Sequence, residues 1–474
     1  SVEAAAGRSV ATAGQAVLFA GTTVVIAICG LAISGIPYVA KLGYMAALVV
    51  AVMMIAAISL LPAVIGLVGD RIDRWKVPSL LHHPDRQPGP DRQPGSDRQA
   101  EPDRPTVWER WATTVAGHAW PFAAASVALL LVIGVPLLGM RLGESDDGNL
   151  PMSTTQRQAY DLIAAGFGPG TNGPLFVVIA LPSAGDAPLI TGVATALRKT
   201  PGVAAVLPAQ LSPDSTVAEI GVLPTTAPDS AQTASLVETL RNQVLPTAVG
   251  TSGAHAYVGG ETATFIDIGN RITDRLPSFI GAVVLLSFVL LTLVFHSVLV
   301  PLTAAVMNLL SVGAAYGATV AVFQWGWLKG LIGLQATVPI VSFVPMMMFA
   351  VLFGLSMDYQ VFLLTRIREE YDDTRDTRRA VVLGLSRTAR VITSAALIMI
   401  FVFGAFVANF QPEVKMFGLG LAFAVLVDAT IVRMVLVPSI MEILGDANWW
   451  FPRRLDRFLP RLDLEGDAAP ATNA

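Results

Sequence analysis

Eight long apolar runs alternate with polar segments along the chain, and this alternation predicts its architecture. The runs cover Ala16–Ile36, Leu42–Leu67, Pro121–Leu138, Phe279–Val300, Leu302–Phe323, Ile340–Leu364, Val391–Phe410 and Phe417–Met441. Each is close to the roughly 20 residues that a helix needs to cross the hydrocarbon core of a bilayer. Backbone groups in lipid must bond within their own segment, so each run should be helical. The pattern therefore predicts an α-helical membrane bundle of about eight spans.

The polar region between the third and fourth runs has the pattern of a separate α+β domain. Its predicted order is strand, helix, strand, strand, helix and strand, at residues 174–181, 187–199, 203–208, 216–224, 230–244 and 254–260. This is the ferredoxin-like split βαβ arrangement. The stretch GFGPGTNG (166–173) precedes the first strand, whereas a phosphate-cradling loop follows a strand and opens a helix, so it predicts a turn-rich loop.

A repetitive polar segment separates the second and third runs. Its core, PDRQPGPDRQPGSDRQAEPDR, is rich in proline, glycine and alternating charges, a composition typical of a disordered tether. The expected division of the chain is two spans in 1–69, a cytoplasmic disordered linker in 70–118, one span in 119–142, an extracytoplasmic porter domain in 143–277, five spans in 278–445 and a cytoplasmic tail in 446–474.

The composition and the distribution of arginine support this topology. The chain is 53% hydrophobic and only 14% charged, whereas soluble domains are usually about a quarter charged. Arginines concentrate in the segment after the second run, in the loop 366–390 and in the tail. With eight crossings these three segments fall on one side of the membrane, which the positive-inside rule makes the cytoplasm.

The two ends of the chain carry a weak internal repeat. At a constant offset of 376 residues, Pro62 matches Pro438, and the pair Gly69-Asp70 matches Gly445-Asp446. Duplicated halves are common in transporters. At this offset a counterpart of position 358 would precede Ser1, so the sequence predicts that an earlier half of the protein is missing from this chain.

Motifs for soluble enzymatic chemistry are absent from the sequence. None of the five lysines lies in a Gly-Lys-Ser/Thr sequence, so there is no Walker A loop. There is no HExxH motif, and the five histidines are scattered. We therefore expect no metal or other cofactor, no ATP hydrolysis by this chain and no nucleic-acid partner.

An acidic residue inside the sixth run is the first candidate for function. Asp358 is followed by Tyr359 in FGLSMDYQVFLLTR. An apolar environment disfavours the charged form of a carboxylate, and acids within a membrane are functional candidates by default. A neighbouring phenol can stabilise the anion, so Asp358 and Tyr359 could load and release a proton. The alternative is that Asp358 is a structural hydrogen-bond acceptor. Phe362, one turn further on, either packs or gates water.

The eighth run contains a second acid, Asp428, with Arg433 five residues later. A structural ion pair, a capping role and a relay role all remain open for these two residues. Ser356 either joins a polar network or allows close helix packing. Asn308 and the Gly313/Gly317 spacing in the fifth run are typical of helix packing in membranes.

Four stretches resemble one transporter family, the MmpL family, an actinobacterial branch of the resistance–nodulation–division (RND) superfamily. They are VLLTLVFHSVLVPLTAAVMNLLSVGAAYG (289–317), FGLSMDYQVFLLTRIREEY (353–371), RTARVITSAALI (387–398) and FGLGLAFAVLVDATIVRMVLVPSIMEILGDANWW (417–450). The resemblance implies two halves, each with six spans and one porter domain. It also implies export of lipids or other hydrophobic cargo, powered by the proton gradient. Asp358 and Tyr359 match one of the family's two Asp-Tyr relay pairs, and Phe362 a channel-lining neighbour. His296 departs from the pattern, because the family typically has arginine there.

Two other function classes are also compatible with parts of the pattern. An intramembrane aspartyl protease would use Asp358 and Asp428 as a dyad sharing one proton. A sterol-sensing receptor or a protein-export helper would use the same scaffold without pumping. The expected partners are membrane lipids, hydrophobic cargo and the missing earlier half, and a homo-oligomer is left open.

Overall fold

A computed structural model describes residues 14, 17–18, 21–68 and 106–452, with the side chains of Leu61, Ile65, Val68 and Asp358 outside that description. The repetitive part of the predicted linker and the predicted tail from 453 onward also lie outside it. The helices are α1 Gly21–Ser34, α2 Pro37–Val68, α3 Val107–Gly117, α4 Ala119–Gly134, α5 Thr155–Phe167, α6 Ala187–Lys199, α7 Ala231–Thr239, α8 Leu245–Val249, α9 Glu261–Phe295, α10 Leu299–Thr319, α11 Val344–Thr374, α12 Thr377–Ala405, α13 Pro412–Val427 and α14 Val437–Leu444.

Within the described residues the fold also contains three π-helical segments, seven short strands and several short 3₁₀ turns. The π segments are Leu240–Val244 between α7 and α8, Val320–Gln324 after α10, and Asp428–Leu436 between α13 and α14. The strands are β1 Leu142–Gly143, β2 Leu175–Ala180, β3 Val203–Val206, β4 Gln210–Leu211, β5 Val217–Pro224, β6 His255–Gly259 and β7 Ile340–Val341.

The predicted membrane bundle is confirmed. Within the described residues, seven helical segments are long and apolar enough to span a bilayer, and they correspond to the second through eighth apolar runs. The first run is described only in part, as the 14-residue apolar helix Gly21–Ser34. The helices share one continuous apolar core, to which α1, α9, α10, α11, α12 and α13 all contribute.

Several helices extend well beyond the apolar runs that predicted them. The fourth run starts at Phe279, but α9 starts at Glu261 and continues for 35 residues to Phe295. At 1.5 Å per residue this helix is about 52 Å long, against roughly 30 Å for the hydrocarbon core. Its first half therefore stands outside the bilayer, and Gly260 connects it directly to β6.

The α+β domain has the predicted ferredoxin-like topology. Its sheet order is β3-β5-β2-β6 with every pairing antiparallel, and β4 adds to β5. Helix α6 has the predicted bounds, Ala187–Lys199. Alternate residues of β2, namely Leu175, Val177 and Ile179, are fully buried in a separate apolar core, as the two-residue period of a half-buried strand requires.

One segment that was predicted to be irregular is helical. The predicted linker ends too late, because α3 occupies Val107–Gly117 and packs against α12 and α14. The prediction of a turn-rich loop at 166–173 is confirmed, because helix α5 ends at Phe167 and a short 3₁₀ turn follows at Pro169–Asn172. In both helices a threonine hydroxyl accepts a bond from the backbone N–H three residues later, from Glu109 to Thr106 and from Arg157 to Thr154, which is an N-cap.

A small parallel strand pair connects the end of one span to the start of another. β1 follows the span of α4, and β7 precedes α11, with Leu142 opposite Ile340 and Gly143 opposite Val341. The Ser342 hydroxyl also donates a bond to the Gly143 carbonyl, at 3.0 Å. Because β1 contacts α9 as well, a displacement of α11 would be passed to two other spans at this end.

Helices α4 and α10 cross at closely apposed backbones. A Cβ atom on Gly317 would lie 2.1 Å from the Ile133 carbonyl oxygen and 2.8 Å from the Gly134 Cα. A Cβ atom on Gly134 would lie 3.6 Å from the Gly313 backbone. Gly317 therefore serves close helix packing, as small residues do in membranes, whereas a Cβ atom on Gly313 would have no neighbour within 4 Å.

Candidate functional site

A buried ion pair lies inside the bundle, at the junction of α13 with the π segment that follows it. Arg433 Nη2 is 2.8 Å from Asp428 Oδ2, and Nε donates to the same oxygen at 2.9 Å. Arg433 is 2% exposed and Asp428 is 7% exposed. Both charges are thus withdrawn from solvent and lipid, and each neutralises the other.

The π conformation explains how two residues five apart form this pair. In an α-helix, five residues turn through 500°, so the two side chains would point about 140° apart. A π-helix bonds residue i to residue i+5, which places Arg433 one turn directly beyond Asp428. The sequence spacing alone pointed to no shared face, and the π segment creates one.

Ser356 on α11 completes the polar network around this pair. Its hydroxyl donates to Asp428 Oδ2 at 3.2 Å, and its carbonyl accepts from Arg433 Nη2. The serine is itself buried. Of the two roles open for Ser356, the structure shows participation in the polar network. α11 is thereby hydrogen-bonded to the π segment and the end of α13.

Tyr359 on α11 links the ion pair to α12. Its ring lies 5.2 Å from the Arg433 guanidinium carbon, a cation–π contact. Its hydroxyl is 3.2 Å from the Met399 sulfur on α12. The side chain of Asp358 lies outside the described residues. Its backbone belongs to α11, one turn beyond Gly354, which touches Val24 of α1 closely enough that a Cβ atom would lie 2.7 Å from the Val24 Cγ2.

A small internal cavity adjoins the network. Its polar lining consists of Ser311, Ser356, Tyr359 and Asp428, and the rest is aliphatic. The room for the centre of a water molecule is about 10 Å³, which is close to the minimum for one water. Phe362 is half-buried on α11 and is not among the residues that line this cavity.

Sequence reasoning missed a tryptophan that supports the π segment. Trp111 of α3 donates its indole N–H to the Met434 carbonyl, next to Arg433, at 3.0 Å. The ring also packs edge-to-face on Phe122 of α4. The sequence did contain a signal for α3, because Thr106 and Glu109 have the spacing of a capping box.

A second polar cluster at the base of the α+β domain was also missed. Asp146 accepts from the Tyr160 hydroxyl at 2.7 Å, and the Asn149 amide bridges Asp146 and Asp229 at 3.1 and 3.2 Å. Burial, and then the charge of Asp229, raise the pKa of Asp146 to about 6. Nearby, burial and then the charge of Glu413 raise the pKa of Glu144 to about 7.

Comparison with known proteins identifies the family. The sequence profile described as "MMPL family" matches residues 1–123 and 158–461, which is most of the chain. The chain belongs to the MMPL family. With its seven described apolar helices it is a multi-pass membrane protein, and the resemblance found in the sequence is confirmed.

Three relatives illustrate the range of known members. Membrane protein YdfJ of Bacillus subtilis is 37% identical over 461 residues, 97% of this chain and 60% of that protein. The mycolic acid-containing lipids exporter MmpL11 of Mycolicibacterium smegmatis is 37% identical over 463 residues, 96% and 47% respectively. The heme uptake protein MmpL11 of Mycobacterium tuberculosis is 36% identical over 462 residues, 96% and 46%. The chain thus spans about half the length of these relatives.

Proposed function

We propose that this chain is part of a secondary transporter that uses the proton gradient to export lipids or other hydrophobic cargo. One observation carries the proposal: a buried polar network of Asp428, Arg433 and Ser356 lies against α11, the helix that contains Asp358 and Tyr359. Ionisable groups are rare within membrane spans and mark ion or proton pathways. The relative named as an exporter of mycolic acid-containing lipids supports the cargo class.

In this proposal Asp358 alternates between the protonated and the ionised form of its carboxyl group. It takes a proton from the outer side in one state of the transporter and releases it to the cytoplasm in another. Each proton that crosses the membrane yields about 2.3 kcal/mol per 100 mV, and about 1.4 kcal/mol shifts a two-state equilibrium tenfold. One proton is therefore sufficient to bias a conformational change.

Tyr359 would communicate the charge state of Asp358 to the ion pair. Its hydroxyl stabilises the Asp358 anion in this proposal, and its ring already contacts the Arg433 guanidinium. A shift of Tyr359 would therefore change the environment of Arg433 and its bonds to α11. In this proposal a displacement of α11 reaches the α+β domain through the β1–β7 strand pair and the long helix α9.

The ion pair disfavours the aspartyl protease. A protease dyad requires two carboxylates that share one proton. Asp428 instead has a guanidinium at 2.8 Å on Oδ2, and Ser356 donates to the same atom. Asp428 is therefore paired with a guanidinium and a hydroxyl, where a protease dyad would place a second carboxyl group.

The proposal is tested by Asp358→Asn in the full-length protein, expressed in a deletion strain of the source organism. Asparagine keeps the size and hydrogen bonding but removes the titration, so we expect surface lipids, measured by mass spectrometry, to fall to the level of the deletion strain. Tyr359→Phe should reduce export less. Asp373→Asn, an exposed carboxylate on the same helix, is the matched control and should export normally.

A protonophore separates proton drive from passive export. Addition of an uncoupler to wild-type cells should stop the appearance of new surface lipid. Untreated control cells should continue to export lipid over the same period. Near-normal export by Asp358→Asn at wild-type protein levels would refute the relay, and the structural role of Asp358 would stand.

A further inference from the structure

Helix α5 carries an apolar stripe on its exposed face. The stripe consists of Ala159, Leu162, Ile163, Gly166 and Phe167, all of them exposed. Their spacing of i, i+3, i+4, i+7 and i+8 is that of the core-facing side of an amphipathic helix. Leu162 is 73% exposed and Phe167 is 78% exposed, and α5, which is described along its whole length, contains no buried residue. The helix therefore presents outward the face that a helix normally packs into a core.

The opposite face of α5 is polar and is held by hydrogen bonds. The Tyr160 hydroxyl donates to Asp146 at 2.7 Å, and Arg157 Nη1 donates to the Gly148 carbonyl. The Asn172 amide donates to the Tyr160 carbonyl at 3.1 Å. Because these bonds fix the polar side of the helix against its neighbouring segments, the outward direction of the apolar stripe is a built feature of the surface.

We propose that the α5 stripe docks on the corresponding α+β domain of the earlier half of the full-length protein. The chain spans only 47% of the MmpL11 of Mycolicibacterium smegmatis and 60% of YdfJ. The repeat at an offset of 376 residues and the family resemblance both imply a second domain of the same kind. The docking does not depend on whether transport is driven by protons.

The side chains of the stripe suit a groove on another protein surface. An amphipathic helix that lies in an apolar groove uses anchors at i, i+3, i+4 and i+7. Leu162, Ile163 and Phe167 would supply the large anchors. Ala159 and Gly166 lie between them, and their small size would let the backbone of the partner approach closely. Exposed apolar patches of this kind mark interaction sites.

The charges of α5 favour a protein partner over a lipid surface. Helices that lie in a membrane interface carry several lysines or arginines on the polar face. The charged residues of α5 are Arg157 and Asp161, which pair with each other at 2.8 Å. The helix therefore has no net charge with which to bind anionic headgroups, and its arginine is already engaged on the inner side.

Photocrosslinking in the full-length protein tests this docking. The photoreactive amino acid p-benzoylphenylalanine replaces Phe167, and a protease site is inserted into the repetitive linker 84–104, which separates the two halves in the sequence. Irradiation of intact membranes before cleavage should keep the two fragments together on a denaturing gel. Mass spectrometry should place the crosslinked peptide in the α+β domain of the earlier half. The same amino acid at Ser183, an exposed position in this half's domain, is the control and should leave the fragments separate.

Other occupants of the stripe give different products. A second copy of the protein gives a band at twice the full-length mass before cleavage. Lipid gives a later fragment of increased mass that is not joined to the earlier one. Either of these products in place of joined fragments would overturn the proposal, and so would fragments that separate without any crosslink.

Cysteine labelling provides a second test that reverses an expected order. Leu162→Cys and Leu211→Cys are compared in full-length protein whose native cysteines are replaced by serine. Leu211 lies on β4 and is 48% exposed, against 73% for Leu162, so this half alone predicts faster labelling of Leu162→Cys. Docking predicts that a maleimide modifies Leu162→Cys several-fold more slowly than Leu211→Cys, with equal rates after denaturation. Faster labelling of Leu162→Cys in the folded protein would refute the docking.

Discussion

Arg433 and Asp428 place two full charges in a bundle that buries them almost completely. Withdrawing one ion from water costs several kcal/mol even after relaxation, and the attraction of its partner must repay that cost. Arg433 makes three hydrogen bonds, two to Asp428 and one to the Ser356 carbonyl, and these offset the desolvation free energy of its charge. The loss of one partner is therefore more damaging than the loss of both.

A double-mutant cycle tests this asymmetry. Arg433→Met leaves an uncompensated buried carboxylate and should reduce the free energy of unfolding by about 3–5 kcal/mol. Adding Asp428→Leu should restore much of that loss, because apolar replacements of a buried pair are often neutral. Thermal unfolding of the purified protein in detergent measures the stability. If export returns together with stability in the double variant, the pair has only a structural role.

The Asp146 cluster predicts a dependence of local stability on pH. The pKa of Asp146 is raised from 3.8 to about 6 in the folded protein, so folding favours its protonated form. The resulting stabilisation is fully present below pH 4 and is lost as the pH rises through 6. Between pH 5 and pH 8 the segment 146–172 should lose roughly 1.4 kcal/mol of local stability.

Amide hydrogen exchange of the whole protein, corrected for the intrinsic effect of pH, measures this loss. Asp146→Asn cannot ionise, so its exchange in the same segment should be nearly independent of pH over this range. A wild-type segment that is better protected at pH 8 than at pH 5 would contradict the prediction.

At the scale of elements, the crossing with α4 fixes the position of α10, whose Ser311 lines the cavity beside Asp428. The backbones touch at Gly317 and Gly134, with no space for a Cβ atom on Gly317. Since the obstructing atoms are backbone atoms, they cannot move aside by changing rotamer. The helices must separate if this glycine is replaced.

Gly317→Ala should therefore destabilise the protein by about 1–3 kcal/mol, the usual cost of overpacking. Gly313→Ala is the matched control on the same helix, because a Cβ atom there has no neighbour within 4 Å. It should be neutral, or stabilising by up to about 1 kcal/mol through helix propensity. Melting temperatures of the two variants in the same detergent provide the comparison, and equal temperatures would argue against close contact at this crossing.

At the scale of the whole molecule, the arrangement of charge predicts which side each part occupies. The arginine-rich connection of α11 to α12 should be cytoplasmic, and the α+β domain should be outside. A Cys29→Ser background allows single cysteines at two exposed positions, Ser183 in the domain and Asp373 at the end of α11. A membrane-impermeant maleimide added to intact cells should modify Ser183→Cys and spare Asp373→Cys until the cells are permeabilised. The opposite labelling pattern would contradict this topology, and the inferred direction of proton flow would have to be reversed.

Local sequence patterns were sufficient for much of this architecture. Long apolar runs specify membrane helices because lipid offers no alternative partner for the backbone. The βαββαβ order was predictable because each strand and helix of that domain has its own hydrophobic period. Similarly, Asp358, Tyr359 and Asp428 were identified as candidates because ionisable and polar groups are unusual in apolar runs.

The tertiary structure decided how these parts meet. The π segment brings Arg433 over Asp428, and no periodicity in the sequence indicates it, because both residues lie in an otherwise α-helical pattern. The contacts of Ser356, Tyr359 and Trp111 with this pair join segments that are far apart in the chain. Sequence by itself determined which segments enter the membrane, since that depends on the composition of each segment alone. Which polar groups pair there depends on the packing of helices, and only the folded bundle fixes it.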